Sequence, residues 1–316
     1  MDKKKWIPIR KSNLKYYRDI ELFYKNPKGV MQLYKPAGMD FTDASLMKKP
    51  YLGSLCVRPE DKLKCIREAQ RGFSMDLTES ILSHRTEAVK RELVSIVDET
   101  LSEPRGGSLQ LVPNTVDALV EGYSNEPTII KHLAWISHTD YTTAIHSINV
   151  MALTVGYCYY TMRSIEETKL FGLAALLHDV GKTEVPGDIL TAPRKLSVEE
   201  FELMKKHTTL GWDILKEYTG EVLEAGTGCL EHHEKLDGSG YPKGITEISE
   251  CGRVLGVIDC YEAITNDDRP YRSALEPMKA LEILKEEMDG EKFDKKIFED
   301  FAYSLTDFTL KKSVLI

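Results

Sequence analysis

From Ile7 to about Ile66 the chain alternates short apolar runs with turn-forming clusters. Ile20-Glu-Leu-Phe-Tyr24 and Val30-Met-Gln-Leu-Tyr34 flank Asn26-Pro-Lys-Gly29, and Lys35-Pro-Ala-Gly38 follows, a pattern that predicts paired strands joined by tight turns. From about Glu68 helix-forming residues take over, and Thr86 to Val97 carries apolar residues at helical spacing. Ser102 to Ser108, holding Pro104, Gly106 and Gly107, is the best linker candidate. Beyond it helices dominate. Ser164-Ile-Glu-Glu167 and Ser197-Val-Glu-Glu200 read as capping boxes, with serine at the N-cap and glutamate three residues on. The first predicts a helix running through Leu170 to Leu177, the second a helix ending near His207. Pro277 to Met288, with Gly290 as a stop, predicts another. Ile148 to Tyr157 is apolar almost throughout and reads as a buried helix. The expected fold is α+β overall: residues 1–108 form a small β-containing accessory or regulatory domain with a helical linker, and residues 109–316 an all-α bundle.

Composition adds limits. With 42% hydrophobic and 29% charged residues in 316, the chain suits a globular protein of one large domain or two. Its net charge of -8 argues against a duplex nucleic-acid face, which needs many Lys and Arg contacts to phosphate. The start, Met1 to Arg10, has no apolar stretch of signal-peptide type, and no run of about 18 apolar residues occurs, so a cytoplasmic location is expected. Cys56, Cys65, Cys158, Cys229, Cys251 and Cys260 show no CxxC spacing and are expected to be small core residues.

The chemistry is concentrated in a few polar residues inside apolar runs. Leu173-Ala-Ala-Leu-Leu-His-Asp-Val-Gly-Lys182 ends a greasy helix in His178 and Asp179, and burying either unpaired costs on the order of several kcal/mol. His146, His207, His232, His233 and Asp259 are spaced by roughly a helix and a loop, as side chains converging inside a bundle would be. Such a set of nitrogen and oxygen ligands, without a thiolate, exceeds one tetrahedral zinc and suits two metals with a bridging carboxylate. Two divalent cations against two aspartates leave a positive centre that lowers the pKa of bound water and stabilises charge on phosphate oxygens, so phosphodiester hydrolysis is the expected reaction class.

These motifs resemble the HD-GYP subgroup of the HD superfamily of metal-dependent phosphohydrolases. The likeness runs from about Asp140 to Phe301: His146-Ser-Ile-Asn-Val150, Leu177-His-Asp-Val-Gly-Lys182 with Val185-Pro-Gly-Asp-Ile-Leu190, Lys206-His207 before Leu210-Gly211, His232-His-Glu-Lys-Leu-Asp-Gly-Ser-Gly-Tyr-Pro242, and Asp259 with Asp268-Arg-Pro-Tyr-Arg272. The resemblance implies an HD-type helical bundle with the GYP loop and a cyclic di-GMP phosphodiesterase. It assigns one metal to His146, His178, Asp179 and Asp259, and a second to Asp179, His207, His232 and His233. Asp179 and Lys182 become the catalytic pair, and Lys182, Gly238, Gly240, Tyr241, Arg269 and Arg272 the substrate contacts. Thr142 stands where trinuclear members carry a glutamate, which favours two metals, and the nitrogen and oxygen ligands favour iron or manganese. Implied partners are cyclic di-GMP, GGDEF-type cyclases and a second copy of the chain, with no duplex nucleic acid and no integral membrane segment.

Against this stand plainer readings. His84, His132 and His138 are expected to be hydrogen-bonded structural histidines. Glu234 is expected to support the loop, Tyr241 to orient a ligand or to pack, and Lys3 to Lys5 to be a solvated start. The segment Lys243 to Arg253 is shorter than its family counterpart, and Thr265 to Arg269 is one residue longer. The alternative function is therefore a catalytically weak or inactive receptor that keeps the metal centre and binds cyclic di-GMP.

Overall fold

The structure is a computed structural model that describes residues 6–40, 54–83, 85–102, 104–106, 108–125, 143–266 and 275–310. Near the N-terminus β1 (Ile7–Pro8), β2 (Leu22–Lys25), β3 (Met31–Lys35) and β4 (Leu55–Val57) form an antiparallel sheet in the order β1-β4-β2-β3. The expected hairpin is β2 and β3, pairing Tyr24 with Gln32 and Lys25 with Met31. At its turn the Asn26 side chain accepts from the amides of Lys28 and Val30, which is how asparagine closes a tight turn.

Helices follow: α1 (Lys62–Leu82), α2 (Thr86–Ser102), α3 (Val112–Asn125), α4 (Thr143–Tyr160) and α5 (Ile165–Leu177). After a 3-10 turn at Val180–Glu184 come α6 (Gly187–Leu190), α7 (Val198–Lys205), α8 (His207–Leu215), α9 (Glu221–Glu231), α10 (Glu250–Thr265), α11 (Pro277–Asp289) and α12 (Lys295–Leu310). The protein is thus mostly helical with one small sheet, as the sequence pattern predicts.

Both capping boxes form, Ser164 with Glu167 and Ser197 with Glu200, each satisfying amides that a helix start leaves open. The second predicted helix stops at Lys205, and His207 opens the next one after a break at Lys206. In α4 every residue from Ala144 to Cys158 is buried, so it has no solvent face. It packs on α5 and α10, and α9 packs on α5, α8 and α10. The segment from Ser102 to Ser108 is pinned where it is described: Gln70 Nε2 donates to the Ser108 carbonyl, and the Ser108 hydroxyl donates to that of Thr100. A single cluster of buried apolar side chains extends from Leu14 to Phe301. Cys65, Cys158 and Cys229 are buried, and Cys56, Cys251 and Cys260 partly so; none forms a disulfide. Among the described residues, no helix is long and apolar enough to cross a membrane.

Candidate metal centre

Five segments deliver the seven expected ligands. His146 lies in the first turn of α4, His178 caps α5 with Asp179 next, His207 opens α8, His232 and His233 follow α9, and Asp259 lies within α10. All except His233 are buried. Gly181 lets the turn after Asp179 reach α8: a Cβ there would stand 1.9 Å from the His207 carbonyl oxygen and 2.4 Å from the Gly211 nitrogen. Any side chain would push the two ligand segments apart.

Backbone and carboxylate acceptors orient the rings. Nδ1 of His178, His207 and His232 lies 2.7, 2.8 and 2.8 Å from the carbonyl oxygen three residues earlier, at Ala175, Met204 and Cys229. A carbonyl only accepts, so each of these nitrogens carries the proton and donates, leaving an Nε2 lone pair facing inward. His146 Nδ1 likewise donates to Glu262 Oε2 at 2.5 Å. The inward Nε2 atoms crowd together, His146 to His178 at 3.1 Å and His207 to His232 at 3.3 Å.

Asp179 divides the cluster in two. Its Oδ2 lies 3.4 Å from Nε2 of both His146 and His178, while Oδ1 lies 3.3 Å from Nε2 of His207. Asp259 faces the first half, with Oδ1 3.0 Å from His146 Nε2 and 3.8 Å from His178 Nε2, and its Oδ2 reaches His233 Nδ1 at 4.0 Å. Asp179 Oδ1 is buried without a hydrogen bond. Converging lone pairs and an orphaned carboxylate oxygen are what a cation satisfies. Three overlapping ligand groups have the right spread: His146, His178 and Asp179; His178, His232 and Asp259; His207, His232 and His233.

The electrostatics agree with cation binding. Burial pushes His207 down to about 4, and burial with the neighbouring rings pushes His232 to about 3 and His233 well below the usual imidazole range. Burial opposes ionisation of Asp179, yet Lys182 and His178 outweigh it and hold the carboxyl well below the ordinary range. Asp259 is held down likewise, by His146 above all, against its own burial. His146 goes the other way. Burial disfavours its charge, but Glu262 and Asp259 raise it to about 10, so a proton occupies the place a cation would take.

A family model described as HD domain matches residues 136–297, just over half of the chain. The chain belongs to the HD domain family. Several curated relatives are similar to part of the chain. A cyclic di-GMP phosphodiesterase of Pseudomonas aeruginosa is 34% identical over 192 residues, 59% of this chain and 45% of that protein. One from Thermotoga maritima is 39% identical over 131 residues, 40% of this chain and 35% of that one. A 3'3'-cGAMP-specific phosphodiesterase of Vibrio cholerae is 31% identical over 138 residues, 43% and 32% of the two. The chain thus spans less than half the length of each. Among solved structures, Bd1817 of Bdellovibrio bacteriovorus, an HDG"Y"P protein, matches with a TM-score of 0.61 at 18% identity, covering 96% of this chain and all of that one. That likeness supports the fold.

The HD domain's rim is described in part. Lys182 donates to Asp179 Oδ2 from the 3-10 turn. Tyr241 lies against His233, ring centroids 4.6 Å apart. Glu234 supports the loop as expected, its two oxygens accepting from the amides of Lys243 and Ile245 at 2.7 and 3.2 Å. The Gly238 amide donates to the Lys235 carbonyl, and a Cβ on Gly240 would stand 2.3 Å from the Lys235 nitrogen. Arg269, Arg272 and Thr142 lie outside the described residues, as do His84, His132, His138 and Lys3 to Lys5.

One residue of the HD domain, Glu262, escapes a reading by motif. Glu262 holds His146 and accepts from Nδ2 of Asn149 and Asn266, both at 2.8 Å. The signal lies in the spacing: Asn149 is three residues after His146 and Glu262 three after Asp259, each on its ligand's helix face.

Proposed function

We propose that this protein is a metal-dependent phosphodiesterase that hydrolyses cyclic di-GMP to the linear dinucleotide and onward to GMP. The observation that carries the reading is Asp179 presenting each of its two oxygens to a different histidine group. His146, His178, Asp179 and Asp259 would hold one divalent cation, and Asp179, His207, His232 and His233 a second, iron or manganese. Such ions, when bound, make water more acidic and offset negative charge on a phosphoryl group.

The chain's own residues have distinct tasks. Nδ1 donation orients the rings of His178, His207 and His232, and Glu262 does so for His146, so the inward nitrogens are aimed at where the cations would sit. Lys182 is partly exposed beside Asp179 and offers its ammonium to a non-bridging phosphate oxygen. Tyr241 lies against His233 and orients the ligand. Arg269 and Arg272 are proposed as further phosphate or guanine contacts. Residues 1–108 are proposed as an accessory unit acting on the catalytic part, 109–316. Curated relatives named for cyclic di-GMP hydrolysis support the substrate.

Metal content and product formation from cyclic di-GMP, after anaerobic reconstitution with Mn2+ or Fe2+, test the proposal. Two ions per chain and turnover that disappears in Asp179→Ala are expected. Binding without turnover in the metal-loaded protein would replace the enzyme with a receptor, and fewer than two ions would defeat the binuclear centre.

A further inference from the structure

Beside the ligand cluster stands a group of side chains that neither metal binding nor the fold requires. α7 turns Phe201 outward, 46% exposed, with Val198 one turn earlier and 75% exposed. Lys205 follows Phe201 by four residues and so shares its face. The Phe201 ring lies 6.4 Å from that of Tyr241, the planes at 79°. Lys205 Nζ is 5.0 Å from the Phe201 centroid and 5.6 Å from that of Tyr241. Two ring faces near a right angle thus meet at an ammonium, and through Tyr241 and His233 this corner joins the candidate metal centre.

We propose that Phe201, Tyr241 and Lys205 form a recognition corner for one guanine base of the substrate, Phe201 stacking on the base and Lys205 donating to O6 and N7. The inference rests on the reading of the site as a cyclic dinucleotide phosphodiesterase and states which base it selects. An ammonium has three donors and no acceptor. Guanine offers O6 and N7 as adjacent acceptors, whereas adenine sets an amino donor beside its N7. Glu202 Oε1, 2.7 Å from Lys205 Nζ, takes one donor through an exposed pair that is cheap to rearrange. Stacking does not distinguish the bases, since every base has a π face. Phe201 therefore supplies affinity and Lys205 the choice.

The test uses the full chain loaded with Mn2+, with kcat and KM measured for cyclic di-GMP and cyclic di-AMP, alongside metal content and thermal midpoint. Phe201→Ala is expected to raise KM about tenfold for both substrates, the scale of one lost base–aromatic stack, with kcat and metal content kept. Phe201→Trp restores KM. Lys205→Gln is expected to cut the guanine-over-adenine preference in kcat/KM about tenfold, chiefly through the guanine substrate. Wild-type turnover with KM unchanged in Phe201→Ala, or preference unchanged in Lys205→Gln, overturns the corner and leaves the phosphodiesterase standing. A metal-loaded wild type that turns over neither dinucleotide overturns the functional reading and the corner with it.

Discussion

A neutral histidine has one donor nitrogen and one acceptor, so the partner of Nδ1 decides what Nε2 can do. Three ligand histidines here use a backbone carbonyl, but His146 uses the carboxylate of Glu262, and that choice makes it the proton-holding member. Glu262→Gln keeps the shape and removes the charge. It should weaken metal binding about 10–100-fold, as loss of a ligand's supporting partner typically does, measured by competition with a chromophoric chelator. The same residues set a pH response in chelator-stripped protein. His207, His232 and His233 are depressed from 6.5, so the unfolded chain binds more protons and stability falls as pH drops from about 6.5 toward 3, with Asp179 and Asp259 adding to the acid limb. His146 is raised to about 10, so its contribution is complete below 6.5 and is lost as pH rises toward 10. The thermal midpoint should peak near pH 6.5, and metal loading should flatten the alkaline limb by taking the place of that proton. An unchanged alkaline limb in the loaded protein would contradict His146 as a ligand. His178 and Asp179 were legible because polar residues at the end of an apolar run need a reason. Glu262 was not, because a glutamate within a helix reads as a solvent-facing residue until the fold turns it inward.

Helices set the site by where they end, and the segments between them hold it. The 3-10 turn after Asp179 lies against the start of α8 because residue 181 is glycine. Gly181→Ala drives a methyl into the His207 carbonyl. It should cost about 1–3 kcal/mol or more, the range for overpacking, and lower both the thermal midpoint and the metal content. The loop carrying Tyr241 is held differently, by the Glu234 carboxylate on two amides. Glu234→Ala should leave both metals in place while kcat/KM for cyclic di-GMP falls about tenfold or more, because a loosened loop misplaces Tyr241. Loss of metal in that variant would instead make Glu234 part of the centre. Capping boxes and the Pro277 helix could be read from sequence because their signals are local. β4 could not: its three residues are too few to show alternation, and its place between β1 and β2 depends on long-range pairing.

Across the whole molecule, the accessory residues and the HD domain share packing and charge. Val89, Leu93, Ile96 and Val97 of α2 are buried in the same apolar cluster as Ile148, Leu173 and Val254. At the surface Arg105 pairs with Glu184, at the end of the turn that carries Lys182, and with Glu217 just beyond α8, while the Tyr218 hydroxyl donates to the Pro104 carbonyl. The change of texture near Ile66 to Glu68 and the linker candidate at 102–108 suggested a division at 108, but not how much surface the two parts would share, since helix faces meet only after folding. Burying a side chain such as leucine or valine is worth about 1.5–3 kcal/mol, so removing α2 withdraws more than a marginally stable domain can lose. A chain beginning at residue 109 should therefore aggregate, or melt far below the full chain, although every proposed metal ligand is retained. If that fragment instead remained soluble with its metals and its melting point unchanged, residues 1–108 would be an appendage. Arg105→Glu probes the surface link separately. Exposed pairs contribute little to stability, so the midpoint should move by less than about 1 kcal/mol equivalent. Repulsion from Glu184 and Glu217 should nevertheless shift the Lys182 turn and lower kcat with metal content unchanged. Unaltered kcat in that variant would confine the coupling between the two parts to the shared core.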